Sequence, residues 1–148
     1  MTFMKRDDSY YMQEALKEAR ISGEKGEIPI GAVIVHSDRI IARAHNLTET
    51  LNDTTAHAEM QAITAATNLI GGKYLTGCTI YVTVEPCPMC ASALFWAKID
   101  RVVFGAADEK RGATRFQPSL YHPKTQITGG ILAKECAQLM KDFFKSRR

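Results

Sequence analysis

Four side chains carry the chemistry open to this sequence: His57 and Glu59, two positions apart, and Cys87 and Cys90 within Pro86-Cys87-Pro88-Met89-Cys90. Imidazole and thiolate are common zinc ligands, and three protein ligands leave one position of a tetrahedral ion open. Water in that position has its pKa lowered from about 15.7 to about 7, so hydroxide exists at neutral pH. Glu59 adds a carboxylate able to move protons. The expected chemistry is hydrolysis, with His57, Cys87 and Cys90 as metal ligands and Glu59 as the catalytic residue.

Each piece alone has a plainer reading. A solitary Cys-x-x-Cys is also half of a structural zinc site or a thioredoxin-like redox pair, and a single His is more often a surface or core residue than a ligand. The combination argues otherwise, because no second Cys-x-x-Cys completes a four-cysteine site and His57 carries Glu59 beside it. Cys87 and Cys90, three apart at a helix start, fall on one face, where the helix N-terminus favours thiolate. Glu59 lies about 200° from His57 on an ideal helix, which suits a ligand with a neighbouring carboxylate better than two ligands. The spacing does not say which imidazole nitrogen faces the metal.

The elements that must position these groups follow from periodicity and turn chemistry. Met12, Ala15, Leu16 and Ala19 recur at helical spacing, after the capping candidates Asp7, Asp8 and Ser9 and before Gly23, and predict a helix over 9–22. Ile30 to Val35 and Ile40 to Ala44 flank Ser37-Asp38-Arg39 as a hairpin, and Asn46 to Thr55 reads as a loop. Ala56 to Asn68 reads as a helix opening with His57 and Glu59, and Gly71-Gly72 ends it. Thr79 to Val84 is a strand that Pro86 breaks, and Pro88 opens a helix continuing to Ala97. Arg101 to Phe104 is a further strand. Leu132, Cys136, Leu139, Met140 and Phe143 mark an amphipathic C-terminal helix after a polar stretch over 107–124. The alternation predicts one α/β domain over 1–148 with a mixed sheet covered on both faces.

At 148 residues such a domain buries roughly 70% of its unfolded surface, so it needs no metal staple to fold and the metal is free for catalysis. Hydrophobic residues at 45% and charged residues at 24% exclude disordered and fibrous classes. The N-terminal residues lack a signal-peptide h-region and no run is long and apolar enough for a membrane span, so a cytoplasmic protein with reduced thiols is expected. Cys78 and Cys136 read as buried, inert thiols, and Trp96 as core packing. The net charge of +3 does not identify a partner, but Lys110, Arg111, Arg115 and Lys124, and then Lys141, Lys145, Arg147 and Arg148, cluster locally. A phosphate-bearing partner and a solvated helix end with favourable C-terminal cations both fit this pattern.

His-x-Glu with Pro-Cys-x-x-Cys is the signature of zinc nucleobase deaminases. Pro29-Ile30-Gly31-Ala32-Val33, Ala44-His45-Asn46, Thr55-Ala56-His57-Ala58-Glu59, Tyr81-Val82-Thr83-Val84-Glu85-Pro86-Cys87, Arg101-Val102-Val103-Phe104-Gly105-Ala106 and Gly130-Ile131-Leu132 extend the match, and the chain resembles bacterial tRNA-specific adenosine deaminases. The resemblance implies a three-layer cytidine deaminase-like fold with a five-stranded mixed sheet between helices, one zinc per subunit, a homodimer, and the wobble adenosine of a tRNA anticodon loop as substrate. It also implies Asn46 and Asp108 as substrate-binding residues, although local sequence reads them equally as a turn residue and a loop cap. Phe144, next to Lys145 and Arg147, is the expected exposed stacking residue, with Phe143 on the core stripe. Thr54, Ala107, Thr114-Arg115-Phe116 and a shortened segment over 121–128 depart from the family pattern. Trp96-Ala97 after the cysteine motif also resembles guanine deaminase, so a free-base or nucleoside deaminase is the alternative, and a catalytically silent zinc-binding RNA module is a third reading.

Overall fold

A computed structural model describes residues 6–147, so the first five residues and Arg148 of the basic tail lie outside it. Helix α1 spans Asp8–Glu24, where the Asp7 side chain accepts the Tyr10 N–H and satisfies one of the free amides of the first turn. Strands β1 (Gly31–His36) and β2 (Arg39–His45) form a hairpin whose two turn residues, Ser37 and Asp38, both have positive φ. That geometry matches the right-handed twist of paired strands. Helix α2 (Ala58–Ile70) ends at Gly71 in the left-handed conformation. Strand β3 (Cys78–Val84), helix α3 (Pro88–Ala97), strand β4 (Arg101–Ala106), the short strand β5 (Gln126–Thr128) and helix α4 (Ala133–Ser146) complete the order.

The five strands form one mixed sheet in the order β2-β1-β3-β4-β5, antiparallel up to β3 and parallel from β3 to β5. Period-two alternation in the central strands divides the core. Ala32 and Ile34, Ile80 and Val82, and Val102 and Phe104 face α2 and α3, packing with Ala62, Ala66, Ala91 and Leu94. Val33 and Val35, Tyr81 and Val103 face the other way, packing with Tyr11, Met12, Ala15, Leu16 and Cys136 of α1 and α4. Both sheet faces are thus covered, which is why the central strands read as continuous apolar runs rather than as alternation. Gly31 permits the tightest of these contacts, since a Cβ there would fall on the Ala15 carbonyl and the Ala19 amide of α1.

The expected fold stands, including the five-stranded mixed sheet between helices. Cys78 and Cys136 are fully buried free thiols. Trp96 is a correction: it is 75% exposed rather than packed in the core. Cys90, Ala91, Leu94 and Ala97 form the buried stripe of α3, and Trp96 sits about 200° from Leu94, on the opposite side. No helix among the described residues is long and apolar enough to cross a membrane.

Candidate active site

His57 and Cys87 occupy equivalent stations, each the N-cap of its helix, with extended backbone and no side-chain capping bond. Both side chains are therefore free to point away from the helix they precede. Strand β3 ends at Val84, three residues before Cys87, Pro88 fixes the first helical position, and Cys90 follows one turn into α3. The Nδ1 atom of His57 lies 3.7 Å from Cys87 Sγ and 3.6 Å from Cys90 Sγ, which assigns the nitrogen that faces the thiols. Zinc bonds of about 2.0 Å to nitrogen and 2.3 Å to sulfur at tetrahedral angles separate the two atoms by about 3.5 Å, so the donor set fits the ion. Among the described residues, His57, Cys87 and Cys90 form the group able to hold one metal ion, with ligand atoms within 4.8 Å of one another.

The electrostatics also call for a cation. Hydrogen bonding from Cys90, reinforced by His57, lowers the Cys87 thiol to about 4 against the opposing effect of burial. The resulting charge, together with burial and Glu59, drives the Cys90 thiol above its ordinary value. A second thiolate needs a positive neighbour. The hydrogen bond to Cys87 raises the His57 imidazole, with burial opposing it. Glu59, in the first turn of α2, is 4% exposed, and burial pushes its carboxyl up to about 7. A carboxyl near neutrality both takes up and releases a proton at working pH.

These groups form the floor of a cleft of about 770 Å³. One wall is the loop over 46–54, the other the loop over 108–111, and Met140 and Phe144 of α4 line it as well. Asn46 is buried and lines the cleft, and its Oδ1 accepts the Thr48 N–H at 3.4 Å as a turn residue does. Asp108 likewise lines the cleft and caps its own loop, accepting the Lys110 and Arg111 amides at 3.1 and 3.0 Å. Phe144 is 47% exposed and lines the cleft, whereas Phe143 is half-buried under the Arg147 guanidinium. All seven residues expected at the site therefore meet in one cleft or directly beneath it. A second cavity, about 650 Å³, opens at the other end of the parallel strands between Lys98, Arg101 and Lys124, away from these groups.

Residues 5–106 match the family described as the cytidine and deoxycytidylate deaminase zinc-binding region. The chain belongs to this family. This zinc-binding deaminase is 45% identical over 146 residues to the tRNA-specific adenosine deaminase of Bacillus subtilis (strain 168), covering 95% of its own length and 91% of the relative. It also resembles a solved structure from a study of A-to-I editing by tRNA:A34 deaminases at the wobble position of transfer RNA, with a TM-score of 0.83 and 43% identity, covering 88% of this chain and 99% of the other. The guanine deaminase structure from Bacillus subtilis matches less completely, with a TM-score of 0.66 and 39% identity over 68% of this chain and 65% of that one. The deaminase is thus a zinc-dependent enzyme that acts on a C–N bond.

Two cleft-supporting residues lay beyond the reach of motif spacing: the buried carboxylates Glu27, which does not line the cleft, and Glu85, which does. A Glu at the end of an otherwise apolar strand, as in Val82-Thr83-Val84-Glu85, was the available signal for the second. Glu27, between Gly26 and Ile28, had none.

Proposed function

We propose that this enzyme deaminates adenosine to inosine at the wobble position of a tRNA anticodon loop, with His57, Cys87 and Cys90 holding one zinc ion per subunit and Glu59 moving the proton. The observation that carries the reading is the buried Glu59 beside a three-ligand group at the floor of a cleft wide enough for a nucleotide. When bound, zinc supplies the Lewis acidity that lowers the pKa of a water toward 7. Glu59 takes the proton of the attacking water and passes it to the ring nitrogen next to C6 of adenine. It then carries a second proton to the departing amine, so that one water enters and one ammonia leaves. Asn46 and Asp108 contact the entering nucleotide, and Phe144 offers a stacking face in the cleft that Lys110 and Arg111 also line. An anticodon loop presents an unstacked base at little cost, which spares the enzyme the opening of a duplex.

The similarity to tRNA-specific adenosine deaminases along nearly the whole chain supports this substrate, and the partial match to guanine deaminase leaves the free-base reading second. The exposed Trp96, Leu69 and Ile70 on the α2 and α3 side support a homodimer, and the assignment to tRNA processing supports a cytoplasmic enzyme. Deletion of residues 144–148 separates the two substrates. The RNA reading predicts at least a tenfold rise in KM for an anticodon stem-loop, since the stacking residue and the positive charge of Lys145, Arg147 and Arg148 are lost, with zinc content unchanged. Unchanged activity on the stem-loop would count against tRNA.

A further inference from the structure

The two walls of the cleft are fastened by the same device, from behind at Glu27 and from the cleft lining itself at Glu85. Glu27 is fully buried, and its carboxylate accepts the Glu49 N–H at 3.0 Å, the Thr50 N–H at 2.7 Å and the Thr50 hydroxyl at 2.6 Å. Glu85 is 5% exposed, and its carboxylate accepts the Asp108 N–H at 3.1 Å, the Thr114 N–H at 2.9 Å and the Thr114 hydroxyl. Each latch is thus one buried Glu, two loop amides and one threonine hydroxyl. Among the described residues neither carboxylate has an ion-pair partner. Burying a carboxylate without a cation is costly unless hydrogen bonds compensate, and here the donors come from Glu49 and Thr50 in one wall and from Asp108 in the other with Thr114 in the turn just after it. At Gly112 the second wall passes so close to Glu85 that a Cβ would collide with its carboxylate. Thr114 belongs to the stretch that departs from the family pattern, and it gives the second latch its hydroxyl.

We propose that Glu27 and Glu85 are paired positioning residues that keep the two nucleotide-facing walls in their binding form, so that they govern substrate affinity rather than the chemical step. The proposal rests on the reading of the cleft as a nucleotide site. A wall that samples other conformations lowers apparent affinity by the fraction of time it is misplaced. Glutamine cannot replace either latch, because it offers one acceptor oxygen and turns an amide donor towards backbone donors.

The test uses the zinc-loaded enzyme with Glu27→Gln, Glu85→Gln and the milder Thr50→Val and Thr114→Val, which remove only a hydroxyl at exposed positions. Hydrogen exchange without substrate should accelerate about tenfold at Glu49 and Thr50 when the first latch is cut, and at Asp108 and Thr114 when the second is cut, without crossing over. On an anticodon stem-loop, KM should rise about tenfold for each Gln variant and about threefold for each Val variant, with kcat within about twofold, and the double Gln variant should show the product of the single effects. Zinc content should stay at one per chain throughout. Unchanged exchange, a fall in kcat at constant KM, or loss of zinc would each overturn the proposal. If the Gln variants do not fold, the Val variants decide it. If the wild-type enzyme leaves the stem-loop untouched, the nucleotide reading fails, while the exchange rates still show whether the latches hold their walls.

Discussion

At the scale of single residues, the site depends on two side chains placed just before a first helical turn. His57 and Cys87 leave their capping positions unfilled, and the freed Nδ1 and Sγ atoms meet Cys90 at ligand spacing. This much was legible in the sequence, because proline, helix start and Cys-x-x-Cys spacing together determine where the thiols point. The choice of Nδ1 was not, since it depends on the approach of α2 to α3. Metal removal tests the division of labour. The described core closes around apolar side chains from both faces of the sheet, so chelation should abolish deamination while leaving the far-UV circular dichroism spectrum in place, and one equivalent of zinc should restore activity. Loss of the folded spectrum on chelation would make the metal structural.

At the scale of elements, an ion pair ties the start of α1 to the start of β4. Arg101 donates to both oxygens of Asp8, at 2.8 and 2.7 Å, and the Tyr81 hydroxyl donates to the first at 2.8 Å. The Arg101 hydrogen bonds hold the Asp8 carboxyl below its ordinary 3.8 despite opposing desolvation. Because the folded value lies below the unfolded one, the stabilisation is complete above pH 4 or so and is lost as pH falls through the lowered folded value. Asp8→Asn should cost about 1–2 kcal/mol at pH 7, with the difference from wild type shrinking in urea titrations taken below pH 4. Equal stability at pH 7 would remove the ion pair from the account. Most elements were readable from periodicity: α1 and α3 fell where expected, and the α2 expectation was displaced by two residues at each end. Strand β5 was not readable residue by residue, because three residues with two of them exposed carry no pattern, and only the family resemblance implied a fifth strand. Trp96 was misread because α3 is apolar around its whole circumference, so composition cannot tell its buried side from its open one.

At the scale of the whole molecule, the cleft with its cations and the exposed apolar side chains Trp96, Leu69 and Ile70 of α2 and α3 are among the described features that folding alone does not require. The second is the proposed contact between subunits. Wild-type protein should sediment at twice the 16.4 kDa chain mass, and Trp96→Glu, which puts a charge on the most exposed of these apolar side chains, should shift it to the monomer. Sedimentation of the wild type as a monomer would move the apolar side to another role.

The central claim joins the floor of the cleft to one substrate, and one assay addresses both. Wild-type and Glu59→Gln enzymes, each with its zinc content measured, are incubated with an anticodon stem-loop carrying adenosine at the wobble position and, separately, with free guanine, cytosine and adenosine. Wild type should give inosine at the wobble position and release ammonia, and Glu59→Gln should do so at least about 100-fold more slowly while keeping one zinc per chain. Turnover of free guanine with the stem-loop untouched, or loss of zinc in Glu59→Gln, would contradict the central claim.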